Sequence, residues 1–353
     1  ERPGDGDDTR GWGPPFVAGQ SAYFLAVNRS KRSVALDLRD ERARAAFLRL
    51  ARRADVVVEN FRPGGAEALG VGYEQVRTLN ARMVYCSITG FGEREPGSRA
   101  GYDFVVQAES GLMSITGQPD GEPSKVGVAV VDVLAGLNAA VAVLAALQRR
   151  DRTGDGAHVE VSLIDTALSG LVNVGQSVLV TGEEAARYGN THQSIAPYEP
   201  LRAQHGSVAV AAANDALFEK LCGVIGREDL VADPRFAANA ARVEHRAELV
   251  EQLEAALAAA PADEWIERLN AAGVPAGKVR GVREALQAAG ETATMAVDHP
   301  SIGPLELIRT APRFKGAEPL PAPPPLLGEH TREVLLEAGL GEAEIEAIAA
   351  ASR

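Results

Sequence analysis

The sequence is short of sulfur ligands. Its two cysteines, Cys86 and Cys222, lie far apart and outside any Cys-x-x-Cys spacing, so neither a disulfide framework nor a zinc site is expected. With no disulfide framework, a reducing, cytoplasmic setting is the simple expectation. Excess positive charge is lacking too. At a formal net charge of −12, nonspecific nucleic-acid binding is not expected, because that binding is driven by phosphate neutralisation and counterion release. The start shows no charged n-region, apolar core and cleavage site. No clean apolar run suits a membrane span either, since the longest, residues 126–147, is interrupted by Asp132 and rich in Gly and Ala. It reads as a strand followed by a helix buried all round. The six histidines show no His-Glu-x-x-His or paired spacing, so no metal is expected. Gly70-Val71-Gly72 lacks the third glycine and the preceding strand of a dinucleotide fingerprint, and neither a P-loop nor a Gly-x-Ser-x-Gly string occurs. An initiator Met is missing as well: Glu1-Arg2-Pro3-Gly4 reads as the end of a strand, and an upstream segment is expected to be absent.

What is present is ample for two domains: 353 residues, 46% of them hydrophobic and 24% charged. The first half alternates β-like runs with helical stretches, the pattern of a parallel sheet with crossover helices. Strands are predicted over 33–38, 55–60, 83–88, 126–131 and 159–163, and helices over 41–53, 73–79 and 134–149. After about Arg187 a polar loop, 189–194, leads to a strand over 207–211 and amphipathic helices over 215–225, 245–260 and 262–272. The expected class is α/β: a large parallel-sheet domain over 1–186 and a smaller α+β domain over 187–300. A proline-rich return and C-terminal helix over 301–353 are expected to pack back on the large domain, the prolines making residues 318–325 a stiff connector.

Three aspartates are candidates for chemistry. Asp132, between an apolar run and a helix, is expected at the carboxyl end of a parallel strand, where open α/β sheets bind ligands. A helix N-terminus beside it would favour the ionised carboxylate. The plainer role is an N-cap, worth about 1 kcal/mol. Asp165 occupies a similar strand-to-helix junction, and Asp103 either starts a helix or forms a second functional carboxylate. Pattern alone does not rank the three. Among the histidines, His192 stands out, because its loop of small polar residues could close over a site.

Several strings then point one way. They are Asn28-Arg29-Ser30-Lys31-Arg32-Ser33 with Leu36-Asp37-Leu38, and Val58-Glu59-Asn60-Phe61-Arg62-Pro63-Gly64. Ser87-Ile88-Thr89-Gly90-Phe91-Gly92, Arg99-Ala100-Gly101-Tyr102-Asp103, Thr153-Gly154-Asp155-Gly156 and Pro325-Leu326-Leu327-Gly328-Glu329-His330-Thr331 follow in order. Together they resemble the class III CoA-transferases, also called the carnitine dehydratase and bile-acid inducible family, over nearly the whole chain. The resemblance implies a Rossmann-like large domain, a smaller α+β domain and an interlocked homodimer. It also implies acyl-CoA and carboxylic acids as substrates, with no cofactor bound permanently.

By the same resemblance Asp132 is the nucleophile that accepts an acyl group and then CoA. Arg2 and Arg39 match phosphate contacts, Leu36 lies beside the adenine, and Asn60, Phe61 and Tyr102 match further CoA contacts. Ala68 stands where relatives carry a basic contact, so that contact is either absent here or supplied by the neighbouring Arg62. A covering glycine loop known in the family is absent, its place taken by Gly189, Asn190, His192 and Gln193. The strings 22–29, 85–90 and 192–198 resemble the branch acting with succinyl-CoA on glutarate, hydroxymethylglutarate, malate or itaconate. Two rivals share the fold: a 2-methylacyl-CoA racemase and a non-catalytic CoA-binding paralogue. Racemases carry His before the Asp103 equivalent to work as an acid/base partner. This chain has Tyr102, whose ordinary pKa of about 10 suits that role poorly.

Overall fold

The computed structural model describes residues 1–92, 99–316 and 321–351. Its strands are β1 (Phe16–Val17), β2 (Gln20–Ser21), β3 (Val56–Glu59), β4 (Val84–Thr89), β5 (Ala157–Ser162), β6 (Tyr198–Arg202), β7 (Ser207–Ala211), β8 (Ala276–Lys278), β9 (Thr294–His299) and β10 (Gly303–Ile308). The first helices are α1 (Ala22–Val27), α2 (Glu41–Ala51), α3 (Gly65–Ala68), α4 (Tyr73–Leu79), α5 (Asp103–Glu109), α6 (Val130–Thr153), α7 (Leu163–Ser169) and α8 (Val172–Thr181). There follow α9 (Asp215–Ile225), α10 (Asp229–Ala232), α11 (Asn239–Glu244), α12 (Arg246–Leu257), α13 (Ala262–Ala271), α14 (Val282–Ala289), α15 (Thr331–Glu337) and α16 (Glu342–Ala351).

Two compact units result. The first comprises residues 1–106, 129–170 and 286–353, and the second residues 107–128 and 171–285. The chain therefore leaves the first unit and returns to it twice. Segments 107–128 and 171–186 fall in the second unit, and 286–300 in the first, which differs from a single boundary near residue 187. Part of the proline-rich return, residues 317–320, lies outside the described residues.

The first unit is built on a parallel sheet ordered β3-β4-β5, with Val58 opposite Cys86 and Cys86 opposite Val159. Its central strand is apolar on both faces, and Val84, Tyr85 and Cys86 are buried, as a covered parallel strand requires. On one side α2 and α4 deliver Ala51 and Val76 against Met83 and Tyr85, with Phe47 and Leu48 partly buried beside them. Asp40 starts α2 by accepting N–H bonds from Arg42 at 2.9 Å and Ala43 at 3.1 Å. The C-terminal helices close over the other side of α2, where Leu335, Leu340, Ile345 and Ile348 meet Leu36, Ala43 and Ala46.

Two sequence expectations fail in this unit. Residues 33–37 carry no regular structure and Leu38 enters a turn, so the span belongs to no sheet among the described residues. Their backbone is satisfied singly: Leu36 N–H donates to Glu1 O at 2.9 Å, and Ala35 N–H to Thr331 Oγ1 at 3.0 Å. Residues 126–131 are no strand either. The chain is irregular up to Ala129, and α6 begins at Val130, because an apolar β-branched run carries no period that separates a strand from a buried helix.

The expected burial of α6 also differs. It tucks the small side chains Ala135, Ala139 and Ala146 inward, while Val133, Leu137, Val141 and Leu144 are all more than half exposed. These four are spaced along one helical face. By length and composition α6 is long and apolar enough to cross a membrane. Yet it packs on β4, β5 and α7 and forms the return crossover into β5, a position inside an α/β layer.

The second unit carries an antiparallel sheet ordered β6-β7-β8. Leu201, Val208 and Val210 from the sheet pack with Phe218, Leu221, Leu249, Leu253, Leu257, Trp265 and Leu269 from α9, α12 and α13. Trp265 Nε1–H donates to Leu257 O at 2.7 Å, so the indole is buried without losing its bond.

One backbone contact positions everything that follows. Beyond β4, a Cβ on Gly90 would lie 2.6 Å from Gly101 Cα, and a Cβ on Gly101 would lie 2.4 Å from Gly90 Cα. Only glycine at both positions lets the two backbone segments touch. Gly101→Ala is expected to destabilise the protein by about 1–3 kcal/mol through overpacking. Gly223→Ala, on the open face of α9 with nothing within 4 Å, is expected to cost nothing and to gain up to about 1 kcal/mol. Urea unfolding of both variants checks this, and equal stabilities would refute the contact.

Candidate active site

The carboxyl edge of the parallel sheet is where Asn60, Asp103 and Asp132 fall. Helix α6 ends at Gly154, in the left-handed conformation, beside the entry to β5. From there it runs back along the sheet: its 24 residues span about 36 Å, against about 20 Å for a six-residue strand. Its first turn therefore reaches past the carboxyl ends of β4 and β5. Asp132 lies in that turn, so it reaches the edge at the start of a helix and not at the end of a strand. The N-cap is Ala129, with no side-chain bond, so Asp132 is not the cap either.

Asp103 explains how the turn is held. The Gly90–Gly101 contact brings Tyr102 and Asp103 alongside β4, and Asp103 Oδ1 accepts the Val131 N–H at 2.8 Å. The helix N-terminus favours an anion nearby, but one of its free amides is already committed to Asp103. Burial then raises the Asp132 carboxyl above its ordinary range, and the Asp103 charge raises it further. Tyr23, on α1, shares this environment. Its hydroxyl is raised first by burial and then by the charges of Asp132 and Asp103. Tyr23 belongs to a string that carried only the branch resemblance, and no local pattern marks it as a site residue. Asp132 is still open to solvent in the single chain.

The remaining candidates take varied places. Tyr102 is exposed beside Asp103. Asn60, just after β3, donates from Nδ2 to Ile88 O at 2.6 Å and so pins the β3 and β4 ends together. Phe61 has an exposed ring, its N–H bonded to Glu59 Oε2 at 2.7 Å. Arg62 is exposed, with no partner for its guanidinium among the described residues. Arg39 is paired with Asp37 at 2.8 Å, and Arg2 with Asp8. The Leu36 side chain is buried under α15 and α16, where it serves the core.

The third aspartate is a capping partner. Ser162 caps α7 by accepting the Asp165 N–H at 3.1 Å and donates its own hydroxyl to Asp165 Oδ2 at 2.5 Å. Both cysteines are buried, and burial pushes the Cys222 thiol up to about 12 and raises Cys86. Neither is a nucleophile near neutral pH. The histidines of the first unit are engaged away from Asp132: His158 with Ser87 at 3.0 Å, His299 with Ser301, and His330 with the Ser33 N–H.

In the second unit the loop after α8 borders a cavity of about 480 Å³, lined by Asn190 and Thr191 together with Gln118, Arg187, Tyr188 and Glu199. Arg187 builds its wall by donating to Ser114 O, Gln118 O and Gly121 O. Gly189 has φ 58°, and a Cβ there would meet Gln118 Oε1 at 3.0 Å. His192 is half-buried, and Gln193 exposed.

The chain is similar to known proteins over most of its length. Residues 1–331 match the model of CoA-transferase family III. The chain is 39% identical over 342 residues to succinyl-CoA:glutarate CoA-transferase of Mus musculus, covering 96% of this chain and 78% of the relative. It is also 39% identical over 351 residues to succinate–glutarate CoA-transferase of Agrobacterium fabrum, covering 96% and 87%. Among solved structures, a CaiB/BaiF family protein from Brucella suis superposes with a TM-score of 0.81 at 40% identity, covering 96% of this chain and 90% of that one.

The pH behaviour of Asp132 follows from its surroundings. On the expectation that Asp132 is the nucleophile, which works ionised, its raised pKa puts the acid limb of the rate above the ordinary aspartate value of about 3.9. Asp103→Asn keeps an oxygen for the Val131 amide but removes the repelling charge. The acid limb of the reaction with an acyl-CoA donor is expected to move to lower pH in that variant. Coincident pH profiles would show that the two carboxylates do not interact.

Proposed function

The chain belongs to CoA-transferase family III, and on that footing we propose that it moves CoA from succinyl-CoA to a short dicarboxylic acid, with Asp132 as the covalent nucleophile. The observation that carries the reading is Asp132 in the first turn of α6, at the carboxyl edge of the sheet, with Asp103 and Tyr23 around it. The relatives whose names specify succinyl-CoA with glutarate, mesaconate or citramalate support the substrate class.

The Asp132 carboxylate attacks the donor thioester carbonyl, forming a mixed anhydride and releasing CoA as thiolate. The thiolate attacks the aspartyl carbonyl, so the donor acid leaves as carboxylate and an aspartyl-CoA thioester remains. The acceptor carboxylate then attacks that thioester and expels the thiolate again. The thiolate takes the acceptor acyl group from the second anhydride and restores Asp132. Splitting one exchange into four acyl transfers conserves the thioester bond energy. A carboxylate raised by burial is a stronger base and nucleophile once ionised. Arg62, exposed and unpaired among the described residues, is the cation readiest for a CoA phosphate. Arg39 and Arg2 meet phosphate by exchanging their aspartate partners, with guanidinium geometry suited to either. Asn60, Phe61 and Tyr102 border the path of the pantetheine arm, and Leu36 supports the adenine end from the core.

Water has to be kept from the intermediates, or transfer decays to hydrolysis. In the single chain Asp132 is open to solvent, and the same helix exposes Val133, Leu137, Val141 and Leu144 in one apolar face. A second copy of the chain covers that face in the interlocked homodimer and completes the site. The racemase alternative lacks its base, since Tyr102 stands where the histidine of racemases precedes the Asp103 equivalent.

Asp132→Ala is expected to abolish transfer from succinyl-CoA while CoA still binds, and the wild type incubated with succinyl-CoA should carry a CoA adduct on the Asp132 peptide in mass spectrometry. Near-normal turnover by the variant would end the assignment. Leu137→Glu is expected to yield a monomer by light scattering, with transfer lost and hydrolysis of the donor favoured. A dimeric, active Leu137→Glu protein would sink the covering role of α6.

A further inference from the structure

The segment that leads into α6 is tied to α5 at two points. Asp103 and Gln107 are four residues apart on that helix and so share a face. Asp103 Oδ1 accepts the Val131 N–H at 2.8 Å, and Gln107 Oε1 accepts the Val126 N–H at 2.9 Å. The Gln107 side chain is fully buried, and its oxygen has to face Val126, because an N–H bonds only an acceptor. Each bond lies within one compact unit, Gln107 with Val126 in the second and Asp103 with Val131 in the first, and α5 is continuous from Asp103 to Glu109.

The spacing of the two acceptors does not match that of the two donors. Four residues of helix advance about 6 Å, whereas five residues of extended chain from Val126 to Val131 would span about 17 Å. The segment meets both acceptors only by bending, and it bends at Gly127 and Val128 before α6 starts at Val130. This is also why the expected strand over 126–131 does not form: amides that a neighbouring strand would have taken are bonded to side chains of α5. The Gln107 bond fixes where the bent segment begins and the Asp103 bond where it ends, and Asp132 follows at once.

We propose that Gln107 is a positioning residue for the reaction: its side-chain carbonyl, by holding the Val126 amide, keeps residues 126–131 in the register that puts Val131 on Asp103 and Asp132 one residue beyond. This rests on the reading above that Asp132 is the nucleophile. A nucleophile has to be held close to its attack geometry, and a displacement of about 1 Å costs on the order of a hundredfold in rate. The titratable groups linked to Asp132 by charge are Asp103 on α5 and Tyr23 on α1. Loosening the segment draws Asp132 away from Asp103 and frees the Val131 amide, and both changes favour the ionised carboxylate.

The experiment uses two variants that break the same bond from opposite sides. Gln107→Met keeps the length of the side chain but offers no carbonyl, and Val126→Pro removes the donor while Gln107 stays. With succinyl-CoA as donor and glutarate as acceptor, each is expected to lower kcat about tenfold, the loss expected for one such bond, and to change the KM for succinyl-CoA by less than about twofold. The acid limb of the rate should move to lower pH. Asp103→Asn should then move it less when combined with Gln107→Met than it does alone, because the two act on one carboxylate. In the wild type, amide hydrogen exchange should be slow at Val126 and Val131 and fast at Gly127 and Val128.

A Gln107→Met protein, folded by thermal melting, with the wild-type kcat and acid limb would overturn the positioning role. So would a uniform loss, in which kcat falls, every KM rises and the acid limb stays in place, since that is damage to the fold. Should both variants fail to fold, exchange in the wild type decides: a Val126 amide as fast as that of Val128 is not held, and the role is lost. Failure of the nucleophile reading shows separately, as a wild-type Asp132 peptide without a CoA adduct although the Val126 amide is protected.

Discussion

The hydrogen bond from the Val131 amide to Asp103 is the constraint on which the site depends. Asp103 and Val131 are 28 residues apart, and between them the chain contributes residues 107–128 to the other compact unit. The bond ties the point of departure to the point of return, one residue before Asp132. It also decides the electrostatics. A helix start would ordinarily stabilise an anion in its first turn, but here an amide is given to one carboxylate and the other is left to burial and repulsion. Two acidic groups at one helix start therefore differ: Asp103 accepts the free amide, and Asp132 has its pKa raised by partial burial and by the Asp103 charge.

Much of this architecture was readable from sequence. Helix α4 lies where its period places it, α2 nearly so, and β3, β4 and β5 fall within a residue or two of the predicted strands, because each has a clear period or a compact β-branched run with polar ends. The run 126–131 misled for the same physical reason: without alternation or a helical stripe, Val, Ala and Gly fit a buried strand and a helix start equally. What settled it was a tertiary bond from a residue 28 positions earlier. Residues 33–38 misled because their backbone pairs with single groups and not with a neighbouring strand.

The site was legible in part. Asp132 stood out only through family-like strings, since its local pattern equals that of Asp165, whose neighbour Ser162 proves to be the cap. Tyr23 gave no signal of its own. The glycines were visible as residue types, yet the mutual contact of Gly90 and Gly101 exists only once β4 and α5 are folded.

The buried cysteines have a practical bearing. With Cys86 and Cys222 both enclosed and their thiols raised by burial, the native protein offers a thiol-reactive dye almost nothing to titrate. Coenzyme A set free by an abortive turnover can then be counted colorimetrically, in the presence of enzyme at substrate-like concentration, against a nearly blank background.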